Sequence, residues 1–189
     1  MTKLLPALLL AALTSGTAAA LSVGGTVTGN VPAGARVGGF VVDSGGTPFA
    51  ELVSVPVAGG RFTLEIPSVT PPVRGVSPLR PDAIFWPGVL EPVNVSGQVN
   101  TADLRFYIYA DGNGNGRRDD SEALQEAVPF AGKAALVVAY ASGDASITAA
   151  RGFTAALKSG WNGLLIEVGK VVKVTQSSAI TGVNLNVER

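Results

Sequence analysis

Between residues 24 and 67 the chain reads GGTVTGNVPAGARVGGFVVDSGGTPFAELVSVPVAGGRFTLEIP. Short apolar runs are cut by Pro-Ala-Gly, Ser-Gly-Gly and Gly-Gly turns roughly every eight to twelve residues, the spacing of an all-β protein. The pattern predicts strands over 24–30, 36–43, 50–57 and 61–66. In the last of these Phe62, Leu64 and Ile66 alternate with Arg61, Thr63 and Glu65, which leaves one face of the strand wet. A hydrophobic fraction of 47%, only 15% charged residues and 24 glycines point the same way.

The same period of two returns over 104–109, where Leu104, Phe106 and Ile108 alternate with Arg105, Tyr107 and Tyr109. This strand runs directly into DGNGNGRRDDSE, residues 111–122. The spacing is D-x-N-x-N-G-x-x-D-x-x-E, that of an oxygen-ligand calcium loop. Asp111, Asn113 and Asn115 offer side-chain oxygens from alternate positions, and Arg117 offers its backbone carbonyl. Asp119 and Glu122 occupy the ninth and twelfth positions, where Glu122 closes the site with both oxygens. Gly116 falls at the sharp turn. The incoming segment is rich in aromatic residues, so the loop joins strands and not the two helices of an EF-hand. Two Asn-Gly pairs, strong turn formers, account for 111–116 without a metal; they do not account for Asp119 and Glu122.

The chain opens with Lys3, a short apolar stretch over 4–13 and three alanines at 18–20, the layout of a secretory signal peptide cut after residue 20. Secretion, to the periplasm, the cell envelope or the exterior, is the expected address. No stretch is long enough for a comfortable membrane span. With no cysteine there is no disulfide framework, so stability must come from the core or from an ion. The formal charge of zero and the lack of a basic stripe exclude a nucleic-acid partner. The mature chain is long enough for one domain over 21–189. Proline-rich 68–82 also allows two sub-modules, 21–67 and 83–189.

Beyond the loop, continuous or alternating apolar runs predict strands over 134–140, 153–157, 164–168, 171–174 and 183–187. Residues 145–148 fit the returning arm of a hairpin with 134–140. A turn or two of helix is expected over 121–128, stopped by Pro129, and the dense alanines over 148–158 leave a helix open there. Phe85-Trp86 and Trp161 are the aromatic candidates for a sugar platform, with packing the alternative role. Chemistry is hard to place: the chain has neither histidine nor cysteine, no G-x-S-x-G elbow and no phosphate loop. Its remaining carboxylates are scattered, so the expectation is a protein that is not an enzyme, with a carboxylate-based hydrolase as the remote alternative.

The run G-x-V-x-G from Gly25, a valine-rich strand and G-x-F-x-L-x-I-P ending at Pro67 resemble the start of carboxypeptidase-regulatory-like, transthyretin-like sandwiches. A strand ending in Tyr-Ala-Asp, then G-N-G-N-G, then D-x-x-E is similar to the calcium loops of prealbumin-like modules. These include the B-type repeats of staphylococcal serine-aspartate-repeat proteins. The phrase Lys158-x-Gly160-Trp161-Asn162 between strands resembles bacterial secreted β-sandwich proteins. The resemblance implies an antiparallel, Ig-like or transthyretin-like β-sandwich carrying one structural Ca²⁺ on Asp111, Asn113, Asn115, Arg117, Asp119 and Glu122. The expected partner is an unidentified protein or glycan of the cell envelope. Three formal negative charges, diluted by Arg117 and Arg118 nearby, set the expected binding at about 10⁻⁴ M, in the range of extracellular modules. Asn115, standing where the family often has aspartate, weakens it further.

Overall fold

The structure is a computed structural model that describes residues 19–187, so the expected leader lies outside it except for its last two residues. Within these bounds the chain forms fifteen β-strands and three short 3₁₀ turns, with no α-helix among the described residues. Among the described residues no helix is long and apolar enough to cross a membrane.

The first four strands lie where the turn spacing puts them: β1 Ala19–Gly29, β2 Ala35–Val42, β3 Pro48–Pro56 and β4 Arg61–Pro67. Between β3 and β4 the chain turns on Gly59 and Gly60, whose φ values of 57° and 73° suit the double left-handed turn that only glycine enters cheaply. These two strands do not then pair with each other. β3 joins β2, while β4 joins β1.

The main sheet is completed by β7 Asn100–Ala110, β9 Pro129–Ala131, β10 Ala134–Ala141 and β15 Ala179–Val187, in the order β3-β2-β7-β10-β9-β15-β1-β4. Its first and last strands are therefore consecutive in the chain and joined by a tight turn, so the sheet curls until it is nearly closed. Alternate side chains point into the curl. Val23, Val37, Leu64, Leu104, Phe106, Val138, Val183 and Leu185 meet in one buried cluster drawn from six strands around the sheet and from Trp161. One strand pair departs from the expected antiparallel pattern, since β1 and β15 run parallel. They bring opposite ends of the chain together, with no hairpin between them to impose an antiparallel register. Residues 21–67 and the later part of the chain are interleaved in this sheet through β2–β7 and β1–β15.

A second layer grows from β10. Its even positions, Leu136 and Val138, belong to the first core, and its odd positions, Ala139 and Ala141, to a second. That explains why its sequence is a continuous apolar run and not an alternation. β13 (Gly160–Val168) pairs with β10 and with β14 (Val172–Gln176). Against their outer face lies a three-stranded sheet of β6 (Asn94–Ser96), β11 (Ala145–Thr148) and β12 (Thr154–Leu157). The second core fills the space between with Ile147, Phe153, Leu157, Leu164, Ile166 and Val172. Two small strands complete the set on β7: β5 (Ser77–Pro78) and β8 (Gln125–Glu126).

Three local expectations give way. β11 pairs with β12 and β6 and does not return along β10. No helix forms over 121–128, where a turn closed by the Glu122 N–H on the Asp119 carbonyl leads into β8. Nor does one form over 148–158. That segment holds a 3₁₀ turn, Ala150–Gly152, and then β12, where Ala155 and Leu157 are buried and Thr154 and Ala156 exposed. Alanine's helix propensity yields to a period-two pattern whose small residues fit under the second core.

Asn162 locks the start of β13 and is buried. Its side-chain oxygen accepts from the Lys158 N–H at 2.8 Å, and its amide donates to the Lys158 and Gly160 carbonyls at 2.7 and 2.9 Å. Asn162→Ala strands backbone groups in a place that water reaches poorly. It should lower unfolding free energy by about 1–3 kcal/mol in urea denaturation.

Candidate functional site

The loop over 111–122 leaves the end of β7 and returns as β8, and its polar side chains turn inward on one another. Asp111, with a side chain only 7% exposed, accepts from the Asn115 N–H at 3.1 Å on one oxygen and the Gly116 N–H at 2.9 Å on the other. The Asn113 side-chain oxygen accepts from the Asn115 N–H at 3.0 Å, and that of Asn115 from the Arg117 N–H at 2.8 Å. Glu122 spans the loop: one oxygen accepts from the Gly112 N–H at 2.8 Å, the other from the Asp119 N–H at 3.0 Å. The amides of Asn113 and Asn115 both donate to Oδ2 of Asp119, at 2.6 and 2.9 Å. The five side chains that the spacing singles out are thus gathered by contacts within the loop. Gly114 and Gly116 take φ values of 70° and 81° to allow it.

Oxygen donors of mixed kind suit a hard cation. Three carboxylates, two amides whose oxygen and nitrogen ends exchange by a half-turn, and the Arg117 carbonyl form a donor set of the chemistry calcium accepts. Among the described residues no group of three or more His, Cys, Asp or Glu side chains is placed to hold a metal by itself. A cation here would therefore draw on the asparagines and the main chain as well as on the carboxylates.

A polar platform that the spacing does not reveal carries the loop. Arg36 on β2 places Nη1 3.7 Å from Oδ2 of Asp111 and donates to the Ser54 hydroxyl and carbonyl at 3.3 and 3.2 Å. Ser54 donates to the Gly116 carbonyl at 3.1 Å. Glu51 takes the Arg118 N–H at 3.0 Å on one oxygen and the Tyr109 hydroxyl at 2.6 Å on the other. Arg118 Nε donates to the Glu122 carbonyl at 3.1 Å. Strands β2 and β3 thus grip both halves of the loop. The alternation over 104–109 marks one buried face, and part of the other face of β7 is covered too: Tyr107 and Tyr109 are buried with Phe40 and Val42, and Leu124 packs against them.

Burial and the carboxylate of Glu51 push the Tyr109 hydroxyl up to about 12. Because the folded value lies above the ordinary value near 10, the stability this hydroxyl contributes is intact below pH ~10 and lost as pH rises through about 12. Burial raises the Tyr107 hydroxyl as well, so an ultraviolet tyrosine titration should show late ionisation with Tyr109 as its last component. Glu51→Gln should move it to lower pH; an unmoved titration would contradict the assignment.

The aromatic candidates divide sharply. Trp86 and Trp161 are buried, their indole N–H groups donating to Oδ1 of Asp103 at 3.3 Å and to the Val69 carbonyl at 2.9 Å. Phe85, 88% exposed, is the ring that faces solvent. What this geometry defines is an all-β protein with a self-gathered, acid-and-amide loop on one end of its main sheet. No family model, curated protein or solved structure matches the chain.

Proposed function

We propose that the protein is a secreted, non-enzymatic binding or structural module whose loop over 111–122 is held in shape by one calcium ion. The observation that carries this reading is the convergence of Asp111, Asn113, Asn115, Asp119 and Glu122 within one hydrogen-bonded loop at calcium-loop spacing. Asp111, Asn113, Asn115, Asp119, Glu122 and the Arg117 carbonyl would hold the ion, which would supply positive charge to a ring of oxygens and cross-link the ends of the loop. Arg36 and Arg118 temper the negative field and keep the affinity modest. The resemblance to prealbumin-like surface modules supports the same reading, with a protein or glycan of the cell envelope as the natural partner. A carbohydrate-binding reading rests on Phe85 alone, because neither indole is free to stack on a sugar.

At about 1 mM calcium and a dissociation constant near 10⁻⁴ M, binding to the folded state adds roughly 1.4 kcal/mol. Thermal melts in calcium and in chelator should therefore differ by about 3–6 °C. Superimposed melts would remove the ion from the account.

A further inference from the structure

On the outer face of β7 and β10, away from the loop, lies a cleft of about 410 Å³. No residue of 111–122 lines it. One wall is the segment that carries Leu79, Ile84, Phe85 and Trp86; the floor includes Val137 and Asp103. The volume is that of a small-molecule site and is too small to seat a folded partner. Two exposed apolar side chains, Phe85 and Val128 (88% and 57% exposed), stand among its lining residues.

The charges of the cleft are paired with one exception. Arg74 bonds Asp43 at 3.1 Å and Arg105 bonds Glu126 at 3.1 Å, so these four lining groups cancel. Asp103 forms no ion pair among the described residues. Its Oδ1 accepts the Trp86 indole N–H at 3.3 Å, and Arg105 acts on it only as a nearby charge. Burial raises its pKa, the sign of a carboxylate short of solvation. An apolar cleft with one unbalanced acid on its floor complements a molecule with a hydrocarbon body and a cationic end.

We propose that this cleft binds a small amphipathic amine, with its ammonium group on the Asp103 carboxylate and its hydrocarbon body between Ile84, Phe85 and Val137. The two contacts divide the work. The apolar walls supply affinity without regard to head group, and Asp103 selects the head group by a charge-assisted hydrogen bond. Trp86 already occupies one carboxylate oxygen and fixes the orientation of the other.

Three probes of one chain length, hexylamine, hexanol and hexanoate, test this through tryptophan emission, since the Trp86 indole touches Asp103. The matched Trp86→Phe variant assigns the signal against Trp161, and ligand-observed NMR gives affinity independently of emission. Hexylamine should bind roughly tenfold tighter than hexanol, and hexanoate weakest of all. Asp103→Asn should remove the preference for the amine while leaving hexanol unchanged. Equal affinities across the three head groups in the native protein, tighter binding of hexanoate, or no binding of any probe would each overturn the proposal whether or not the variant folds.

Discussion

Gly25→Ala is expected to leave the protein unfolded or nearly so, at a loss of more than about 3 kcal/mol. A Cβ on Gly25 falls 1.8 Å from the Val183 carbonyl oxygen, 2.6 Å from its carbon and 2.9 Å from its Cα. All three are backbone atoms of β15, so no side-chain rotation relieves the overlap. Gly25 stands opposite Phe62 on β4 and Val183 on β15, in the parallel pair that joins the two ends of the chain. Moving β15 away would disturb a ladder that continues to Val187, along with the packing of Val183 and Leu185 in the first core. With typical domain stabilities of about 5–15 kcal/mol, little would remain. Gly24→Ala is the control, because its Cβ meets its nearest neighbour, the Thr63 hydroxyl oxygen, at an ordinary 3.6 Å. That variant should denature in urea within about 1 kcal/mol of the parent. A Gly25→Ala protein with an unaltered denaturation curve would contradict the β1–β15 pairing.

Phe153→Ala should cost about 3–5 kcal/mol, the range for truncating a fully buried aromatic ring. Phe153 has no exposed surface and sits among Ile147, Leu157, Leu164 and Ile166 in the second core. Its loss should still appear as one transition, because β10 and β13 serve both cores: Val138 and Trp161 face the first, Ala139 and Leu164 the second. Coincident curves from far-ultraviolet circular dichroism and tryptophan emission would support that sharing. A variant that loses one transition and keeps another would show that the two cores unfold separately.

These two sites show where the sequence is informative and where it is silent. The alternation at 61–66 and at 104–108 states which side chains point inward, because strand period and burial are local properties. The unbroken apolar run over 134–140 likewise marks a strand covered on both sides. Which strand lies beside which is decided by contacts between distant residues, and nothing near Gly25 names Val183 as its neighbour. The same gap misplaced 145–148, which has the turn of a returning hairpin arm but is drawn onto β12 and β6 by the second core. In the loop, the spacing from Asp111 to Glu122 brings together the side chains it singled out. The platform of Arg36, Glu51 and Ser54 lies far upstream in the chain and has no motif of its own. Asp103 was one acid among many until the fold set it beside Trp86 in a cleft.

The most direct test is a calorimetric titration of calcium into metal-stripped protein spanning residues 21–189, beside Glu122→Gln. Glu122 closes the loop through both carboxylate oxygens, so the variant keeps the side chain's shape while removing its charge. One ion should bind per chain with a dissociation constant near 10⁻⁴ M, weakened by roughly tenfold or more in the variant. No calcium-dependent heat in a folded native protein, or equal binding by the two, would contradict the calcium site and leave 111–122 a polar turn closed by its own hydrogen bonds.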